Sequence, residues 1–175
     1  MNILADYGAG ENTFAQAAVY PDLALARITL QHKGLYTVMP ERREALAEIS
    51  GKFRHGATAL SQFPAVGDFV MLRLQGANAG HAVIHHVLRR KSAFTRKAVG
   101  LEEQTQIIAA NIDIVFICMS LNNDYNVSRL ERYLSVAWNS RAVPVIILTK
   151  SDLCACLHQV LDEIAGVAPG VDVLT

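Results

Sequence analysis

Thr149-Lys150-Ser151-Asp152 is the stretch of this 175-residue chain whose side chains could do the most specific chemistry. A carboxylate such as that of Asp152 can accept two hydrogen bonds at once, from the N1–H and the exocyclic N2–H₂ of guanine. Adenine lacks that pair of donors and would leave a desolvated acid unpaired, which is a strong penalty. Lys150 can lay its methylene stem against the base plane, and Thr149 can tie neighbouring loops together. A plainer reading is a strand end followed by a helix cap, a role that suits Asp152. The two roles do not exclude each other.

The tetrad needs a frame, and the flanking sequence supplies one. Ile112–Met119 and Val145–Leu148 are near-continuous apolar runs rich in Val and Ile, which read as strands buried on both faces. Between them Leu130, Tyr133, Leu134, Ala137 and Trp138 recur at helical spacing, and Ser128 with Glu131 offers a capping-box start. Strand, helix and strand make a βαβ crossover, and ligands in open α/β sheets bind beyond the carboxyl ends of the strands. After the tetrad, Leu157, Val160, Leu161 and Ile164 predict a second helix with Gly166 near its end, and Val171–Leu174 a third strand. Three parallel strands and two helices are about half of a nucleotide-binding sheet. Such a half-sheet would expose an edge and apolar faces, so the chain is expected to be a fragment or truncated product.

Composition narrows the class. At 51% hydrophobic and 18% charged residues the chain can bury a core and is not expected to be disordered. No apolar run approaches the ~20 residues of a membrane helix, and no signal peptide is visible. Three cysteines, Cys118, Cys154 and Cys156, are an odd number with one in a predicted strand, which points to a reducing cytoplasm. The Cys154-x-Cys156 pair has no second ligand pair, so no metal is expected there.

Net charge is zero but segregated. From Ile49 to Leu101 Asp68 is the one acid against eight bases, whereas Glu102 to Thr175 carries nine acids and four bases. A basic first domain joined to an acidic second one suggests that the first meets a polyanion. Residues 1–21 read as a loosely ordered lead-in. Residues 22–92 read as five short strands split by turns: Leu23–His32, Leu35–Met39, Ala45–Phe53, Phe69–Leu74 and His81–Leu88. That spacing fits a small closed barrel of the OB type, with an SH3-like barrel the alternative. Residues 93–110 read as a basic linker and connection, and 111–175 as the α/β part. Lys52, Arg54, Arg89, Arg90, Lys91, Arg96 and Lys97, with Phe94 among them, are the candidate RNA-binding residues. His85 and His86 are neighbours on a predicted strand and are expected on opposite faces.

No G-x-x-x-x-G-K-[ST] phosphate loop occurs anywhere in the chain. The tetrad is therefore accidental, or the motif order is permuted. From Arg27 to Thr175 the chain resembles the circularly permuted, ribosome small-subunit-dependent GTPases of bacteria. The resemblance rests on Gln31-His32-Lys33-Gly34-Leu35-Tyr36, Ile49-Ser50-Gly51-Lys52-Phe53-Arg54, Phe63-Pro64-Ala65-Val66-Gly67-Asp68 and Arg89-Arg90-Lys91-Ser92. It continues through Ala109-Ala110-Asn111-Ile112-Asp113, Arg129-Leu130-Glu131-Arg132-Tyr133-Leu134 and the Thr-Lys-x-Asp tetrad.

The resemblance implies a five-stranded OB-fold, then the front half of a permuted P-loop GTPase domain, with Thr149, Lys150 and Asp152 reading guanine. It implies GTP hydrolysis in late maturation of the small (30S) ribosomal subunit, rRNA contacts by the barrel, a monomeric protein, and Mg²⁺ and Zn²⁺ ligands beyond Thr175. Without a phosphate cradle these 175 residues are not expected to hydrolyse GTP alone. Two other readings compete: a non-catalytic RNA- or ribosome-binding module, and a Rossmann-like enzyme. Absence of G-x-G-x-x-G after a strand counts against the last.

Overall fold

The computed structural model describes residues 3–41, 43–75, 80–97, 105–122 and 124–175, which fall into two compact units divided along the chain after Asn111.

The first unit is a closed barrel of β1 (Ala24–Gln31), β2 (Tyr36–Met39), β3 (Ala45–Ile49), β4 (Phe69–Gln75) and β5 (His81–Val87), in the order β1-β2-β3-β5-β4. β3 pairs with β5 in parallel and the other pairs are antiparallel, the arrangement of an OB barrel. Alternation fills the interior with Ala26, Ile28, Val38, Ala45, Ala47, Val70, Leu72, Ala82 and Ile84. Small and large residues share this bore because a five-stranded barrel is too narrow for large side chains throughout.

Three features differ from the sequence expectation. The third predicted strand ends at Ile49, because the Ser50 hydroxyl accepts from Phe53 N–H and caps a short helix, α3 (Gly51–Gly56). The lead-in is not loose: α1 (Ile3–Asp6) and α2 (Glu11–Ala17) set buried Leu4, with Phe14, Ala17 and Tyr20, against Phe69, Met71 and Leu88 on the barrel's outer surface. Small residues there hid a helical pattern that tertiary packing completes. The predicted linker holds a two-stranded antiparallel sheet, β6 (Ala93–Lys97) and β7 (Thr105–Ala110).

That sheet is joined to the barrel at one crowded point. Gly67 has φ +88°, and a Cβ there would stand 2.0 Å from the Ala110 carbonyl oxygen, so only glycine fits. Ala110 N–H donates to Val66 O, and the buried Asn111 amide donates to Gly67 O while accepting from Lys91 N–H.

The second unit is a parallel sheet of β8 (Ile114–Ser120), β9 (Val143–Thr149) and β10 (Asp172–Leu174), with α4 (Val127–Ser140) and α5 (Leu157–Val167) as crossovers. The strand order runs one way, and right-handed crossovers then put both helices on one face. Leu130, Leu134, Ala137, Val160 and Ile164 accordingly pack on Ile117, Met119, Ile146 and Leu148. Full burial of Leu130 or Leu134 contributes about 2 kcal/mol each. Tyr133 and Trp138, grouped with them by spacing, are half-exposed.

Burial on both faces does not hold for β8. Ile114 is 54% and Phe116 62% exposed, and Cys118 is exposed, because no helix among the described residues covers that side. α4 also starts two residues early: Asn126, not Ser128, is the cap, accepting from Arg129 N–H at 2.8 Å.

Candidate functional site

β9 ends at Thr149, opposite Ser120 of β8, and both loops that follow leave the carboxyl edge of the sheet. Leu121 N–H donates to Thr149 O at 2.8 Å, tying the two loops together at their roots. Lys150 then takes a left-handed backbone, φ 57°, which costs a non-glycine residue about 1–2 kcal/mol. Strain of this kind persists where surrounding structure enforces it and clusters at functional turns. Ser151–Leu153 form a single 3₁₀ turn, closed by Leu153 N–H to Lys150 O and Cys154 N–H to Ser151 O, both 3.1 Å.

The side chains of Thr149, Lys150 and Asp152 are exposed, and none makes a hydrogen bond or ion pair among the described residues. Asp152 caps no helix. α5 begins at Leu157, its N-cap is Cys156, and no side chain serves that cap. The carboxylate thus stands with its acceptors unused at the carboxyl end of a central strand.

The loop after β8 is braced by residues that sequence reading missed. Asn122 Oδ1 accepts from the Ser120 hydroxyl at 3.0 Å and from Asp124 N–H at 3.1 Å, an Asx turn. The Arg129 guanidinium donates to Asp124 Oδ1 at 3.1 Å and also to the Asp124 carbonyl, and this hydrogen bond holds the Asp124 carboxyl below its ordinary range. Lys150 adds to that lowering, so the two loops share their charges. Tyr125 O–H donates to Glu163 Oε2 of α5 at 3.2 Å, and burial, reinforced by the Glu163 charge, pushes the phenol up to about 12. The signal was present in the turn-forming Asn-Asn-Asp run between strand and helix.

The basic residues divide by their partners. Arg90 donates to both Asp68 carboxylate oxygens, at 2.7 and 2.6 Å, and to the carbonyls of Ser61 and Phe63. Asp68 is fully buried and also accepts from Ala65 N–H. Arg90 is thereby committed inside the fold and is withdrawn from the candidate RNA-binding set. Its neighbour Arg89 is exposed, with its backbone N–H held by Gln16. Lys52 and Arg54 are exposed on α3, Lys91 is exposed, and Arg96 contacts Gln106. The Lys97 side chain lies outside the described residues. His85 and His86 face the same side, against expectation. β5 carries a bulge where Met71 pairs His86 and Leu72 pairs Ile84, so the alternation slips by one residue at His85.

The cysteines are free thiols, and no cluster of three or more metal-ligating side chains occurs among the described residues. Among the described residues, no helix is long and apolar enough to cross a membrane.

Comparison with known proteins places this arrangement. The RsgA GTPase family matches residues 87–173. Small ribosomal subunit biogenesis GTPase RsgA 2 of Lactiplantibacillus plantarum is 46% identical over 151 residues, covering 86% of this chain and 42% of that protein. RsgA of Opitutus terrae is 43% identical over 135 residues, covering 73% and 37%. Among solved structures, YjeQ from Thermotoga maritima superposes with TM-score 0.66 at 21% identity over 86% of this chain and 50% of its own. YloQ, described as a circularly permuted GTPase, superposes with TM-score 0.64 at 20% identity, covering 89% and 52%. The chain spans under half the length of these curated relatives. The fold is an OB barrel followed by part of an α/β domain, and the chain belongs to the RsgA GTPase family, of whose members it represents an N-terminal portion.

Proposed function

We propose that the protein containing these residues hydrolyses GTP during late maturation of the small (30S) ribosomal subunit, and that this portion supplies guanine recognition and contacts to rRNA. Thr149, Lys150 and Asp152 read the base, with Asp152 accepting from N1–H and N2–H₂. The observation that carries the reading is the Asp152 carboxylate, exposed and unpartnered at the end of β9, on a turn fixed by the left-handed Lys150. Lys52, Arg54, Arg89, Lys91, Arg96 and Lys97 meet phosphates. The protein acts in the cytoplasm as a monomer. GTP is its nucleotide, and Mg²⁺ and Zn²⁺ are held by residues outside this portion.

The 175 residues alone do not turn over GTP, because they contain no G-x-x-x-x-G-K-[ST] cradle for the phosphates. That same feature favours a second reading, a non-catalytic RNA-binding module with a degenerate nucleotide platform. Asp152→Asn in the longer GTPase separates the two. An amide in place of the carboxylate can donate to the O2 of xanthine, so the preference for GTP over XTP is expected to fall at least tenfold, about 1.4 kcal/mol. An unchanged preference would sink the guanine assignment.

A further inference from the structure

A groove of about 650 Å³ runs between α3 and the end of β5, within the barrel unit. Its floor is His85 to Leu88, one wall is Lys52, Phe53 and Gly56 of α3, and the other is the turn at Ser61 and Gln62. Arg90 builds that second wall by holding the Ser61 and Phe63 carbonyls, and Arg89 stands at the mouth. The bulge in β5 turns both His85 and His86 outward here, and His86 is braced by stacking on Tyr20 with ring centroids 4.3 Å apart.

The charge of the groove is of one sign. The fixed charges acting on His85 are Arg73 on β4 and Lys52 on α3, both cationic, and His86 on its own strand acts on it in the same direction. Asp68, the single acid of residues 49–101, is buried on Arg90 and offers this surface nothing. The face that OB barrels more often use, the outer side of β2 and β3, shows Thr37, Met39, half-exposed Leu46 and exposed Glu48, with no base. Phosphates are poorly matched there and well matched in the groove.

We propose that the α3–β5 groove is a binding site for a single strand of RNA, with phosphates on Lys52 and Arg89, His85 and His86 along the floor, and Phe53 offering a ring for one base. The assignment rests on the rRNA-binding reading above and gives it a place and a strandedness. A concave channel walled on both sides admits one strand, whereas an A-form duplex is convex and would touch only the rim.

Fluorescence anisotropy of the 175-residue chain with a labelled ten-nucleotide oligouridylate, and with a blunt RNA duplex, tests it. The single strand is expected to bind at least tenfold tighter than the duplex. The Lys52→Glu/Arg89→Glu double variant, checked for folding by circular dichroism, is expected to lose at least tenfold. Arg43→Glu, exposed in the turn between β2 and β3, is the comparison, with a loss under threefold. Equal loss in both variants, or equal binding of duplex, would overturn the groove while leaving RNA binding by the barrel in place. Loss confined to Leu46→Glu on the β2–β3 face would move the site there. No binding of either RNA at 50 mM salt would remove the rRNA-binding reading itself, and the groove with it.

Discussion

At the scale of single residues, two arginines adjacent in sequence have opposite fates. Arg89 points into solvent, while Arg90 neutralises a carboxylate that is fully buried. Removing Arg90 would strand the Asp68 charge in the interior, so Arg90→Ala is expected to destabilise the barrel unit by about 3–5 kcal/mol, measured by urea denaturation. A loss below about 1 kcal/mol would show that Asp68 finds another partner. His85 behaves as a base set among bases: burial, and then Arg73, His86 and Lys52, hold its pKa below the ordinary 6.5. With the folded pKa lowered, both states are neutral above 6.5 and no proton difference exists. Below 6.5 the unfolded chain binds the proton first, so the barrel loses a little stability as pH falls toward the folded pKa. His85→Gln should therefore flatten part of the change in melting temperature between pH 7.5 and 5.5; an unchanged slope would contradict the cationic setting. Sequence could not place His85 and His86 together, because a bulge is a property of pairing between β4 and β5 and leaves no mark on β5 alone.

At the scale of elements, β8, α4 and β9 were legible because long apolar runs and a 3.6-residue spacing are local signals. The tetrad was legible for the same reason, since it follows directly from a strand that could be recognised. Caps and faces were less so. Ser128 and Glu131 carry the letters of a capping box, yet Asn126 takes the cap because the Asp124–Arg129 pair fixes the turn before it. Asn126→Ala is accordingly expected to cost about 1 kcal/mol of stability in the α/β unit, read from its thermal unfolding, while Ser128→Ala costs a few tenths at most. The reverse order would restore the capping box. α1 and α2 escaped notice because four- and seven-residue helices hold only through Leu4 and its neighbours against β4. The β6–β7 sheet escaped because Ala93–Lys97 is short and ends on two bases, which reads as a linker until Gly67 and Asn111 fasten it.

At the scale of the whole molecule, the segregation of charge and the one-sided packing of the sheet carry the same message. A basic barrel carries the α3–β5 groove proposed for RNA, and an acidic half-sheet carries a carboxylate without a partner among the described residues, beside a strained turn. Strands in the order β8-β9-β10 with both helices on one face leave Ile114 and Phe116 bare, and the relatives are more than twice as long as the matched stretch. Guanine recognition by Thr149 to Asp152 before any phosphate is held is the core of the proposed function. It is tested most directly by titrating the ¹⁵N-labelled 175-residue chain with guanosine and with adenosine and following its amide resonances. Guanosine at millimolar concentration is expected to shift Thr149 to Cys154 and Leu121, with no such shifts from adenosine and none in Asp152→Asn. Equal shifts from both nucleosides, or none from guanosine at any concentration, would contradict the account.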